Sequence, residues 1–259
     1  MKATSKVLNY EKSGSGPTVV LLHGYLSSLR YWDEIRTSLE KDHTVITLDL
    51  LGFGSSPKPK KSYYNYDDHL QWIKRTLDSF DMQEPFILCG HSMGALLALR
   101  FSLEYPESVR RLLLMNTPLF KDATEARQQL AGTSLFVRLF LYWGLHRLII
   151  PVMRIGITKK LIRSFLPVNY KGMETYISTS SVESRGRSLR NIIEAQSSLY
   201  DLERLNIPTI LVQGTMERPM YIENLLRVHA KPGLDILLPE TGHHTTVDKP
   251  ELVSGLMQA

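Results

Sequence analysis

Residues 85–105 read Pro85-Phe86-Ile87-Leu88-Cys89-Gly90-His91-Ser92-Met93-Gly94-Ala95-Leu96-Leu97-Ala98-Leu99-Arg100-Phe101-Ser102-Leu103-Glu104-Tyr105. An apolar run ends in Gly-His-Ser-Met-Gly, and a helix-forming segment follows it. The pattern is strand, sharp turn and helix, a G-x-S-x-G nucleophile elbow with Ser92 at its tip. Such a turn lifts the serine hydroxyl clear of the backbone, where a substrate carbonyl can reach it. Glycines two residues to either side leave room where a Cβ would collide. The pentapeptide alone is a weak signal. Its context strengthens it, because Ala95–Tyr105 has almost no polar face, as expected of a buried helix.

Working outward, strand and helix patterns alternate. Thr18–Leu22 is an apolar run, Leu29–Asp42 reads as a helix charged on one side, and Thr44–Leu48 is a second apolar run. Leu70, Ile73, Leu77 and Phe80 recur at helical spacing, and Leu112–Met115 is another strand candidate beyond the elbow. The alternation resumes with Thr209–Val212 and Asp235–Leu238, with a helix between them. Polar Met1–Tyr10 reads as an edge strand. Continuous apolar strands between helices predict an α/β fold: a mostly parallel central sheet covered by helices on both faces. In such sheets the chemistry gathers at the carboxyl ends of the strands.

The interval 119–190 breaks the pattern. It has helical periodicity and no convincing strand, so it is expected to be a helical cap inserted into a core formed by 1–118 and 191–259. It carries twelve Lys/Arg against four Asp/Glu, although the whole 259-residue chain is only +5. Within it, Ser134–Ile157 is strongly apolar but interrupted by Arg138, Arg147 and Pro151, which argues against a membrane span. A basic, apolar segment of this kind suits a lid over an acyl pocket. It also predicts weak, reversible contact with anionic membranes. Its cations are scattered through apolar helices with no nucleic-acid motif, so no nucleic-acid partner is expected. One cysteine, Cys89, leaves no internal disulfide, and the first residues lack the apolar middle of a signal peptide. A cytoplasmic location is the expectation.

A serine hydroxyl needs a base to take its proton, and the base needs a group that fixes its tautomer. After Ser92 the chain offers Gln213-Gly214-Thr215-Met216-Glu217 at the end of one late strand, then Glu240-Thr241-Gly242-His243-His244 beyond the next. Both fall at the same sheet edge as the elbow. His23, His91 and His244 are expected to shape the site or hydrogen-bond within it. Cys89, inside an apolar strand, reads as an inert core thiol. No histidine or cysteine cluster has metal-ligand spacing, and Gly52-Phe53-Gly54 lacks the continuation of a nucleotide loop, so neither metal nor cofactor is expected.

With these segments in place the chain resembles the α/β-hydrolase fold family, in particular its cap-bearing serine esterases and lipases. His23-Gly24-Tyr25 is similar to the family's oxyanion motif, Asp49-Leu50-Leu51-Gly52-Phe53-Gly54-Ser55-Ser56 to its D-x-x-G-x-G-x-S turn, and Gly242-His243 with Pro250 to its terminal histidine motif. The resemblance implies Ser92 as nucleophile and His243 as general base, then general acid. It puts Glu217 in the place of the usual aspartate, with the backbone N–H groups of Tyr25 and Met93 as oxyanion hole. Asn116 stands where some relatives carry the acid, but it cannot ionise. The implied activity is hydrolysis of carboxylic esters with lipophilic or medium-chain acyl groups through an acyl-enzyme. The same triad serves thioesterases, lactonases and carbon–carbon bond hydrolases, and a ligand-binding receptor could use the same pocket. The single glycine in His23–Ser28 weighs against the carbon–carbon bond hydrolases.

Overall fold

Seven strands form one sheet in the computed structural model, which describes residues 6–131 and 179–258. The strands are β1 (Tyr10–Ser13), β2 (Thr18–Leu22), β3 (Thr44–Leu48), β4 (Phe86–His91), β5 (Val109–Met115), β6 (Thr209–Val212) and β7 (Leu234–Leu237). Their order is β1-β3-β2-β4-β5-β6-β7, with β1 antiparallel to β3 and every other pairing parallel. Of the predicted edge strand Met1–Tyr10, residues 1–5 lie outside the described residues, residues 6–9 are not in a strand, and β1 begins at Tyr10.

β2, β3 and β6 span the apolar runs that predict them. Side chains alternate between two cores, because successive residues of a strand point to opposite faces. Val20, Leu22, Leu88, Leu112 and Leu114 join helices α2 (Tyr66–Asp78) and α3 (Met93–Glu104). Val19, Leu21, Ile87, Cys89, Leu113 and Met115 join helix α1 (Asp33–Leu39) and helix Pro250–Gln258. Helix α3 buries nine of its twelve residues, which explains its lack of a polar face. Helix α2 is amphipathic and begins where the Asn65 side chain accepts from Asp68 N at 3.0 Å.

Two elements depart from expectation. Leu29–Asp42 is a 3₁₀ turn, Leu29–Trp32, followed by the shorter α1. Strand β7 is an edge strand, with Ile236 and its neighbour Leu238 exposed, so its apolar run is not covered on both faces. The predicted insertion 119–190 lies mostly outside the described residues, and Ser134–Ile157 entirely so. Its described flanks are helix α4 (Ala123–Ala131) and helix Val182–Ser188. The latter is stitched to the turn after β3: Ser184 Oγ donates to Gly52 O at 2.8 Å, and Ser181 N to the same oxygen at 3.2 Å. No helix among the described residues is long and apolar enough to cross a membrane.

Candidate active site

The order of the strands reverses between β2 and β4, which opens a crevice at their carboxyl ends. Ser92 stands there with φ 53° and ψ −114°, a left-handed conformation that costs a non-glycine residue of order 1–3 kcal/mol. Close packing sustains it. A Cβ on Gly90 would lie 2.3 Å from Gly94 O, and one on Gly94 would lie 2.3 Å from Leu22 O. Only glycines let strand, turn and helix approach this closely.

The ladder continues one residue past the strands. Ser92 N donates to Met115 O at 2.9 Å, Asn116 N to Val212 O at 2.8 Å, and Gln213 N to Leu237 O at 3.0 Å. Ser92, Asn116 and Gln213 therefore stand in one row across the ends of β4, β5 and β6. Two loops close on this row. His243 Nε2 is 3.1 Å from Ser92 Oγ, and His243 Nδ1 is 2.7 Å from Glu217 Oε1. A carboxylate only accepts, so Nδ1 carries the proton and Nε2 is left to accept from the Ser92 hydroxyl. The Glu217 side chain is 2% exposed, and burying an unpaired carboxylate is costly. Asn116 Nδ2 at 3.0 Å and Gln213 Nε2 at 3.3 Å supply two further donors to Oε1. Gly214 lets the loops touch: a Cβ there would lie 2.3 Å from Thr241 O and 2.5 Å from Gly242 O. The longer glutamate side chain thus closes on the histidine without opening this contact.

The loop after β2 faces the serine. A Cβ on Gly24 would lie 2.8 Å from His91 Nδ1 and 3.3 Å from Ser92 Cβ. Leu50 N donates to His23 Nε2 at 3.0 Å, so His23 Nδ1 is protonated and donates to Gly24 O at 2.7 Å. Tyr25 is anchored through its hydroxyl, which donates to Arg185 O at 3.0 Å, and burial pushes its phenol pKa up. Among the described residues neither Tyr25 N–H nor Met93 N–H meets an acceptor. For Met93, the first residue of α3, that follows from helix geometry.

The other predicted histidines line the site. His91 Nε2 donates to His243 O at 2.7 Å, while the ring stacks on Tyr31 with centroids 4.6 Å apart. Burial, then the His243 and His244 rings, hold the His91 pKa well below its ordinary value. Burial and His243 bring that of His244 down to about 4. The Asp49 turn is structural: its carboxylate accepts from Leu29 N, Ser55 N and Asn9 Nδ2 at 2.7–2.8 Å. Sequence reasoning missed three contacts: the Asn116 and Gln213 side chains on Glu217, and the Tyr221 ring, which stacks over His243 at 6.4 Å. Polar residues directly after apolar strands were the available signal for the first two. Among the described residues no group of three His, Cys, Asp or Glu is arranged to hold a metal ion.

Comparison with known proteins agrees with this architecture. Over 107 residues the chain is 36% identical to a probable lysophospholipase, BODYGUARD 1 of Arabidopsis thaliana, which covers 39% of this chain and only 23% of the plant protein. MenH from S. aureus superposes with a TM-score of 0.74 at 18% identity, covering 97% of this chain and 96% of that one. A thermophilic esterase from Thermogutta terrifontis does so with a TM-score of 0.71 at 21% identity, covering 97% and 91%. The family model of the alpha/beta hydrolase fold matches residues 17–250. With the sheet order, the elbow and nearly the full chain matched, the protein belongs to the α/β-hydrolase fold family of enzymes.

Proposed function

We propose that the protein hydrolyses carboxylic esters of lipophilic or medium-chain acyl groups through an acyl-enzyme at Ser92. The carrying observation is the continuous relay from Ser92 Oγ through His243 to Glu217, at 3.1 and 2.7 Å. The Ser92 hydroxyl proton passes to His243 Nε2 as Oγ attacks the ester carbonyl carbon, and the carbonyl electron pair moves onto oxygen. The N–H groups of Tyr25 and Met93 receive that oxyanion. Glu217 accepts from Nδ1 throughout and stabilises the imidazolium. Collapse of the intermediate breaks the bond to the alcohol oxygen, which takes the Nε2 proton and leaves. Water then gives a proton to His243 and attacks the acyl-serine, and Ser92 leaves with that proton as the acid is released.

The lipophilic acyl group is supported by the apolar composition of 119–190 and by the likeness to a protein named as a probable lysophospholipase. A cap over the site and a cytoplasmic location belong to the same proposal. The test is a panel of p-nitrophenyl esters from acetate to laurate, with a serine-directed phosphonate as active-site titrant. Expected are one phosphonate bound per chain, a burst of nitrophenol, and kcat/KM rising with chain length before it falls. One-to-one labelling without turnover of any ester would redirect the triad to thioester, lactone or carbon–carbon bond substrates. Neither labelling nor turnover would leave a ligand-binding receptor.

A further inference from the structure

We propose that Asn116 is a positioning residue that holds Glu217 and the His243 loop in one fixed arrangement; this rests on Glu217 being the carboxylate partner of His243. Asn116 is 1% exposed and sits at the end of β5 in the left-handed region, with φ 49°. Asparagine tolerates that conformation better than most residues. Its carboxamide has two N–H donors and one oxygen, and all are used. Nδ2 donates to Glu217 Oε1 at 3.0 Å and to Gly242 O at 3.1 Å, while Oδ1 accepts from Thr245 N at 3.4 Å. Turned by half a revolution, the amide would set its oxygen against the carboxylate and against Gly242 O. One orientation therefore satisfies the network.

These bonds join three parts of the chain at the site, beside the backbone bonds that already tie the loop after β6 to the loop after β7: Thr215 N to Pro239 O and Met216 N to Thr241 O, both at 2.9 Å. Asn116 belongs to the β5 end, Glu217 to the loop after β6, and Gly242 and Thr245 bracket the histidine after β7. His91 supplies a second grip by donating to His243 O. The imidazole is thus fixed from its own backbone on both sides and from its acid partner. An aspartate at 116 would keep the shape and the tolerance of positive φ. It would replace Nδ2, with both its donors, by one oxygen facing Glu217 Oε1 and Gly242 O. Asn116 thus acts through Glu217, touching neither Ser92 nor the place of a substrate carbonyl.

The test is a double-mutant cycle on kcat/KM with the intact protein, using Asn116→Ala, Asn116→Asp and Glu217→Gln. In the wild-type background both Asn116 variants are expected to lower kcat about tenfold or more, with KM changed less than about threefold. In the Glu217→Gln background the further loss is expected to shrink below about threefold, because the carboxylate through which Asn116 acts has gone. Equal losses in both backgrounds would overturn the proposal, as would an Asn116→Asp variant with wild-type kcat. If Asn116→Ala does not fold, Asn116→Asp carries the cycle. If Glu217→Gln is itself fully active, the reading of Glu217 fails first, which distinguishes the two failures.

Discussion

Two buried carboxylates sit at strand ends on the same edge of the sheet, and their surroundings differ in one respect. Asp49 follows β3 and is 3% exposed; Glu217 follows β6 and is 9% exposed. Each collects three donors. Those on Asp49 are the amides of Leu29 and Ser55 and the side chain of Asn9, none of which titrates or leads further. Those on Glu217 are two fixed carboxamides and one imidazole, whose other nitrogen reaches a half-buried serine. Equal satisfaction of charge thus serves different ends. One carboxylate ties a turn shut, and the other passes its influence through a titratable ring to a nucleophile.

The largest effect expected from this contrast is at Ser92. Ser92→Ala removes the end of the relay and should lower ester hydrolysis by up to about 10⁶-fold, with an unchanged melting temperature and no phosphonate uptake. Most of the activity surviving in that variant would mean that the elbow is not the reacting centre. Next comes Glu217→Gln, expected to reduce kcat by about 10³–10⁴-fold with little change in KM, since the carboxylate matters most when the imidazolium forms. A raised KM with kcat unchanged would instead make Glu217 a substrate-binding group and dissolve the comparison. The mirror experiment is Asp49→Ala. It strands the buried amide of Leu29 and the partly buried amide of Ser55 and should cost about 2 kcal/mol of stability in urea titration. Activity per phosphonate-titrated site should stay within about threefold. A stable Asp49→Ala protein with a ruined kcat would show that the turn belongs to the catalytic apparatus after all.

Much of this arrangement was legible in the sequence where the signal was local. Gly90, Ser92 and Gly94 announce a turn because the collisions they avoid lie within a few residues or on the adjacent strand. The runs Thr18–Leu22 and Thr44–Leu48 announce strands because both faces are covered. β7 was harder: an apolar run reads as buried, yet at the edge of the sheet Ile236 and Leu238 meet solvent. Leu29–Asp42 misled for another reason. Its apolar residues pack on the sheet, while its first turn is held as 3₁₀ by Ser28 Oγ accepting from Arg30 N. Asn116 was legible only as an acid that is missing. Its worth depends on partners 101 and 126 residues away, which become neighbours only once the strand order is known.

The smallest effect links the two regions through their histidines. His23 bridges them, accepting from Leu50 beside Asp49 and donating to Gly24 beside Ser92. Burial lowers the pKa of His23, holds that of His91 well below its ordinary value, and brings that of His69, on α2, down to about 3. Each ring is therefore neutral in the folded protein at pH values where the unfolded chain, titrating near 6.5, takes up a proton. The unfolded state then binds more protons than the native one, so stability rises with pH. It is fully present above about pH 7 and is lost as pH falls from about 6.5 toward the depressed folded values, by about 1.4 kcal/mol per pH unit for each such histidine. His69 offers the clean probe: its Nε2 lies 3.4 Å from Ser188 Oγ, and it has no bond to the relay. His69→Gln should flatten the dependence of the urea midpoint between pH 6.5 and 5 by one histidine's share while leaving kcat near wild type. A wild-type midpoint that does not move across this range would contradict the neutral, buried state of these rings. An unchanged slope in His69→Gln would assign the acid sensitivity to His23, His91 and His244, placing it around the relay rather than beneath α2.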